Sequence, residues 1–293
     1  MNAKRVSKVT VGSVLNVFVL GILAFFCFYP FYHILINSVS DPAMQTSGIY
    51  LYPKGFTLST YEKIFRQNNI GPAFFISSAR TVVGCLATIF FCSMFAYAVS
   101  KKNMPGRRVI YVMSVIVMYF NAGIIPWYLT LRAYGLKNNF LLYILPLVFI
   151  PFYMILLKTF FEQLPVSIEE SAFIDGAGYF TIFMRIVMPV SLPILATIAI
   201  FTAVMQWNSW TDNLFLAPAE ELETLQYLLY KILRQSSSFD IRNTKDMEQL
   251  ANRLSPESLR LAVTVVVMLP ITIVYPMLQK YFMGGILLGA VKG

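Results

Sequence analysis

The chain has 293 residues, 57% of them hydrophobic and only 13% charged, with a formal net charge of +9 at pH 7. Soluble domains carry about 25% charged residues, so this composition excludes an ordinary soluble domain and marks an integral membrane protein. The basic residues sit at the ends of apolar runs, where they read as topology signals rather than as a nucleic-acid surface.

In chain order, Lys4, Arg5 and Lys8 precede an apolar stretch from Val11 to about Ile36. The stretch is longer than the ~7–15 residues of a signal-peptide core and no small-x-small cleavage site follows it, so it reads as a retained first span. Six runs reach the ~20 residues that cross a bilayer, at about 11–37, 73–99, 109–131, 139–161, 190–212 and 261–282. Helices are expected, because an open sheet edge cannot be satisfied in lipid and the alternation of barrel strands is absent. Pro30, Pro126, Pro146, Pro151, Pro193, Pro270 and Pro276 lie in or near these spans. Such prolines predict kinks whose freed backbone groups are satisfied by neighbouring helices, hence a packed bundle. Cys27, Cys85 and Cys92 all fall inside apolar runs, a setting for helix packing or lipid rather than for a disulfide framework or a metal site.

The basic N-terminus and the short loop with Lys101, Lys102, Arg107 and Arg108 are expected in the cytoplasm. Six spans then return the C-terminus, with Lys280 and Lys292, to the same side. The expected fold class is all-α: a polytopic membrane protein with six transmembrane helices, both termini cytoplasmic, and one transmembrane domain over 1–293. A cytoplasmic loop occupies 162–189 and an external loop 213–260. The external loop mixes Glu220, Glu221, Glu223, Asp240, Asp246, Glu248 and Glu257 with Lys and Arg. It reads as a small helical cap broken at Pro218 and at Gln235-Ser236-Ser237-Ser238.

The span interiors are nearly free of ionisable groups, with Arg80, Lys158 and Asp212 near span ends. That argues against ion-coupled secondary transport or a channel, the competing class for such a chain. His33 stands in the first span near Tyr29 and Asn37. It is a functional suspect by position, yet without an acid nearby in sequence it reads more simply as a packed polar residue. One histidine without partners supplies no catalytic constellation, so an intramembrane enzyme is disfavoured and no catalytic residue is assigned.

The loop between the fourth and fifth spans carries the most information. Ser167 stands three residues before Glu170, a capping-box spacing that predicts a short helix from near Ile168 to near Gly176. A second short helix is expected from about Tyr179 to Val187, ending before Pro189. The bland alternative is an ordinary interfacial loop. The pattern Glu-x-Ala-x-x-x-Gly, nine residues, Ile-x-x-Pro resembles the signature loop of ABC-importer permease subunits. Glu170, Ala172, Gly176, Ile186 and Pro189 fall on it, with Ser171 in place of the usual second alanine and Met188 in place of the usual leucine. Asp175, Gly176 and Ala177 complete the Asp-Gly-Ala form of sugar importers. The likeness extends over nearly the whole chain, through the six-span layout, Trp207-Asn208 and the terminal Gly-Ala-Val-Lys-Gly. It is most similar to the second permease of maltose-type carbohydrate importers. Within these, Asn121-Ala122-Gly123 through Pro126 and the long external loop resemble the subgroup serving complex saccharides such as alginate or pectin fragments.

The resemblance implies a type I ABC-importer permease fold in a bacterial plasma membrane and a loop that docks on an ATPase subunit through Glu170, Ser171, Ala172, Asp175, Gly176 and Ala177. It also implies that Gly289, Ala290, Val291, Lys292 and Gly293 enter the ATPase dimer interface, a frayed terminus being the alternative. Expected partners are a homologous second permease, an ATPase dimer, an external solute-binding protein, a saccharide and membrane lipid, with no nucleic acid. No Gly-x-x-x-x-Gly-Lys-Ser/Thr sequence occurs in the chain. No cofactor or metal is therefore expected here, and ATP with Mg belongs to the partner ATPase. Sugars stack on aromatics and bond to amides and hydroxyls, so Tyr119, Asn121, Gln206, Trp207, Asn208 and Trp210 are the candidates for the path. Arg80 and Arg132 are the basic residues considered for an acidic sugar, for which neutral oligosaccharides of the maltose class are the alternative.

Overall fold

A computed structural model of the chain describes residues 11–41, 44, 51–67, 69–120, 122–237 and 256–290. The helices are α1 Val11–Ser38, α2 Ser59–Gln67, α3 Ile70–Ser100, α4 Arg107–Tyr119, α5 Ile124–Ala133 and α6 Pro151–Phe161. They continue with α7 Val166–Ile174, α8 Tyr179–Val190, α9 Leu192–Asn208, α10 Thr211–Leu216, α11 Leu225–Ser237 and α12 Pro256–Ala290. Among the described residues there is no strand, only an isolated antiparallel bridge between Ser40 and Phe56.

Among the described residues three helices are long and apolar enough to cross a membrane, within Gly12–Ser38, Ile70–Ser100 and Glu257–Val274. The three other apolar runs are each divided between two helices, so the spans number up to six if each bent pair is one. The run that starts near Phe140 bends by 49° between Phe140–Leu147 and α6, and α8 meets α9 at 82°. The breaks fall where proline removes a donor: Pro151 opens α6, and Pro193 lies in the first turn of α9.

The chain divides into two compact units. The first comprises residues up to 68 together with 232–266. In it α1 is exposed at every residue from Gly12 to Phe28, and only its last turn, from Ile36 to Ser38, is buried. There Tyr61 of α2 donates to the Ser38 hydroxyl at 2.7 Å, and Asp41 N–H donates to Lys54 O at 2.9 Å. Burial raises the Tyr61 phenol above its ordinary pKa, partly offset by the Ser38 bond.

The second unit comprises 69–231 and 267–293. α3 runs through its centre, with α6 and α9 packed along it. One core joins Cys92, Ala96 and Tyr97 of α3 to Met154, Leu157 and Phe161 of α6, Ala172 of α7, Phe183 of α8 and Ile198 of α9. A second joins Leu131, Leu136, Leu142 and Tyr143 to Leu216 and Ala217. The break before Pro151 is covered by side chains of α3. Thr88 donates to Leu147 O at 2.8 Å, and Ile150 N–H reaches Cys92 Sγ at 3.3 Å. A broken apolar helix is stable only when such partners take up its orphan backbone groups.

Candidate functional site

The loop between α6 and α9 is built locally. α7 starts at Val166, with Pro165 as its N-cap, so Ser167 already lies inside the helix. The expected capping box is therefore absent. Ile168 N–H bonds to Pro165 O at 3.2 Å, and the Ser167 carbonyl accepts the Ser171 hydroxyl at 2.9 Å. The C-terminal end does follow the sequence. Gly176 has φ +82°, its N–H donates to Phe173 O at 3.0 Å, and Ala177 N–H donates to Ala172 O at 2.9 Å. That is a Schellman closure, which favours glycine because a Cβ is strained at this φ.

The second short helix does not stop before Pro189. It widens into a π turn over Phe183–Val187 and carries on through the proline to Val190. Proline cannot donate to the fourth preceding carbonyl and its ring crowds that carbonyl, so a widened turn is one way past it.

Glu170, Ser171, Asp175 and Gly176 are exposed, whereas Ala172 is buried against the first core and Ala177 is half-buried. Ile174 is 87% exposed, beside the exposed Tyr179 and Phe180. The knob thus presents two carboxylates together with an uncovered apolar edge. The rings of Phe173 and Tyr179 meet edge to face at 4.9 Å and fix the junction of α7 with α8. Nothing lies within 4 Å of a Cβ built on Gly176, so the space over it is open.

Ion pairs tie this knob to the basic loop that follows α3. Lys101 pairs with Glu169 and also lies 4.0 Å from the centre of the Tyr97 ring. Arg107 pairs with Glu162, which also takes Lys158 at 2.8 Å. The spacing of these residues in sequence did not disclose the pairs, but opposite charges on two loops at one end of a bundle are the signal.

A second polar site lies inside the bundle. Arg80 of α3 is fully buried, and its guanidinium bonds to Asp212 Oδ2 at 2.6 Å, to Gln206 Oε1 at 3.1 Å and to Ser209 O at 3.3 Å. It lies 4.3 Å from the centre of the Tyr143 ring. The Gln206 amide donates in turn to Tyr143 O at 3.0 Å. Gly84 leaves the room for this arrangement, since a Cβ there would overlap the Gln206 side chain. Asn213, next to Asp212, accepts from Thr224 N–H at 2.7 Å, and Ser77 of α3 accepts from Leu225 N–H at 2.8 Å. Arg80 is therefore not an open entrance cation, as considered from sequence, because its charge is consumed by Asp212. Arg132 is exposed.

The path candidates do not form one cluster. Gln206 belongs to the buried network. Trp207 is 7% exposed, donates from Nε1 to Val267 O at 2.9 Å and meets Phe74 edge to face at 5.9 Å. Asn208 and Tyr119 are exposed, and Asn121 lies outside the described residues. Trp210 stacks on Tyr230 at 4.1 Å, and Tyr230 lies 6.1 Å from Tyr227 in a nearly parallel plane. Of the tail candidates, Gly289 and Ala290 end α12, while Val291, Lys292 and Gly293 lie outside the described residues. α11 runs through Gln235 and Ser236 to Ser237, and the rest of the expected break, from Ser238, lies outside the described residues. His33 Nε2 lies 3.0 Å from the Asn37 amide nitrogen, as a packed polar residue would.

No family model matches the chain. It is 35% identical over 285 residues to protein LplC of Bacillus subtilis (strain 168), across 97% of this chain and 95% of that one. It is also 35% identical over 273 residues to the polygalacturonan/rhamnogalacturonan transport system permease protein YtcP of the same organism, across 92% and 94%. Among solved structures it resembles a chain of a bacterial ABC transporter involved in the import of the acidic polysaccharide alginate. That match has a TM-score of 0.83 and 30% identity, and covers 96% of this chain and 99% of the other.

Proposed function

Because the chain belongs to the permease subunits of sugar ABC importers, we propose that it forms part of the membrane path for an acidic oligo- or polysaccharide of the pectin or alginate kind. The observation that carries the substrate class is the full-length likeness to a polygalacturonan/rhamnogalacturonan permease and to an alginate importer. In this reading the chain crosses a bacterial plasma membrane six times with both termini in the cytoplasm. It pairs with a homologous second permease, an ATPase dimer and an external solute-binding protein. ATP and Mg act on the ATPase subunits, and this chain is a transport component without an ATPase site of its own.

The 162–189 loop is the coupling element. Glu170, Ser171, Ala172, Asp175, Gly176 and Ala177 form its docking knob, and the exposed Ile174 and Phe180 are surface for an ATPase groove to cover. The ion pairs Lys101–Glu169 and Arg107–Glu162 support placing this knob on the same side as the basic loop. They also give the knob rigid attachments through which a push on it reaches α3 and α4. The tail from Gly289 to Gly293 reaches the ATPase interface. Tyr119, Asn121, Asn208 and Trp210 contact the sugar as the two permeases rock around a central cavity, with Gln206 and Trp207 supporting them from within the bundle.

The test is uptake into proteoliposomes holding this chain, the second permease and the ATPase, with the binding protein outside. Oligogalacturonate or oligoalginate should enter only with internal ATP and an intact ATPase. Uptake driven by an ion gradient in this chain alone would sink the importer reading. Uptake of maltooligosaccharides in preference to oligouronates would replace the acidic substrate by a neutral one.

A further inference from the structure

Beside the coupling knob, a cleft of about 520 Å³ opens among Lys102, Met104, Arg107, Arg108, Tyr111 and Lys158. Gly106 and Val109 complete the lining, and four of these eight residues are cationic. One carboxylate, Glu162, reaches into the group and is shared by Arg107 and Lys158. The neighbouring Glu169 is taken by Lys101. Lys102 and Arg108 are exposed and have no carboxylate partner among the described residues. Several like charges held around one hollow repel one another, and an anion seated there relieves that repulsion.

A second observation limits which anion fits. α4 leaves the cleft presenting Val109, Val112, Met113 and Ile116, which are 65%, 46%, 54% and 52% exposed. The spacing i, i+3, i+4, i+7 puts them on one face, so an apolar strip begins where the basic cleft ends. A free phosphate or a nucleotide has no use for the strip. A phospholipid needs both parts, a cationic seat for its phosphate and an apolar wall for its chains. Tyr111, over whose ring Lys158 lies at 4.7 Å, is amphipathic in the way that suits the level between them.

We propose that this cleft is a binding site for the phosphate headgroup of an anionic phospholipid, whose acyl chains lie along Val109, Val112, Met113 and Ile116. Basic pockets between membrane helices bind such headgroups by the same combination of charge and depth. The site holds the basic loop at the headgroup level, and through Arg107–Glu162 and Lys101–Glu169 it adjoins the knob. Lipid charge would thereby bias the position of the coupling element. The inference rests on the chain being a multi-pass membrane protein and not on which sugar it carries.

The test is lipid retention by the purified full chain in detergent, followed by native mass spectrometry. The probes are phosphatidylglycerol, phosphatidylcholine and glycerol 3-phosphate, the last having the headgroup phosphate without chains. Phosphatidylglycerol should be retained at least about tenfold better than phosphatidylcholine. That preference should vanish in K102Q/R108Q, survive in the charge-keeping K102R/R108K, and survive in R132Q/K137Q, whose positions do not line the cleft. Equal retention of the two lipids, or an unchanged preference in K102Q/R108Q, overturns the proposal. Glycerol 3-phosphate competing as well as the intact lipid overturns it in favour of a free-phosphate site. A second permease displacing the lipid from a co-purified pair would assign the apolar strip to that partner and equally defeat it. ATP-driven uptake in liposomes is read separately, so loss of lipid selectivity with uptake intact removes this inference alone.

Discussion

Arg80 and Asp212 show how much a single pair decides in an apolar bundle. A guanidinium at 0% exposure is tolerable only with its charge and its donors answered, and here Asp212, Gln206 and the Ser209 carbonyl answer them. Asp212→Ala leaves that charge buried without a partner and should cost about 3–5 kcal/mol in denaturant unfolding of the detergent-solubilised chain. Asp212→Asn keeps an acceptor and should lose less, and Arg80→Met with Asp212→Leu should recover most of the loss. If Asp212→Ala unfolds at the wild-type midpoint, the pair has no structural role. In the sequence both residues were visible as ionisable groups near span ends. Their pairing across 132 positions was not visible, because it depends on which helices become neighbours.

At the level of elements, the knob between α6 and α9 separates what local chemistry writes into a sequence from what it leaves open. Its end was legible: a glycine after an apolar turn predicts a left-handed closure, and Gly176 has φ +82° with both Schellman bonds made. Its start was not, because Pro165 takes the N-cap and draws Ser167 into the helix. Both a proline start and a serine cap are acceptable locally, so the residue spacing left the choice open. Gly176→Val places a β-branched residue in a left-handed conformation, a strain of about 1–2 kcal/mol or more. The added atoms would also project into the open space over Gly176, which the proposed ATPase contact would have to fill. The variant should insert and assemble normally, yet lose most ATP-driven uptake, as measured by surface labelling and transport in parallel. Wild-type uptake would remove the knob from the coupling path.

For the molecule as a whole, the exposed apolar surface is the main fact. α1 is apolar and is exposed at every residue from Gly12 to Phe28. A helix that packs on so little of its own chain needs lipid or another subunit around it. Co-expression with the second permease should raise the unfolding midpoint of the chain in detergent by at least ~5 °C, as expected for a partner that binds only the folded state. An unchanged midpoint would leave α1 facing lipid.

The sequence by itself determined the membrane class, the positions of the apolar runs and the knob that identifies the family. Each of these is local: a run of apolar residues, a cluster of basic flanks, or a turn whose glycine needs a particular φ. Tertiary structure decided which of those runs break and how the breaks are covered, as Thr88 and Cys92 cover the one before Pro151. It also decided that Arg80 is spent on Asp212 and that four cations gather around one cleft. In an apolar medium every polar group needs a partner, and the identity of that partner is fixed by the packing of distant segments rather than by the spacing of residues along the chain.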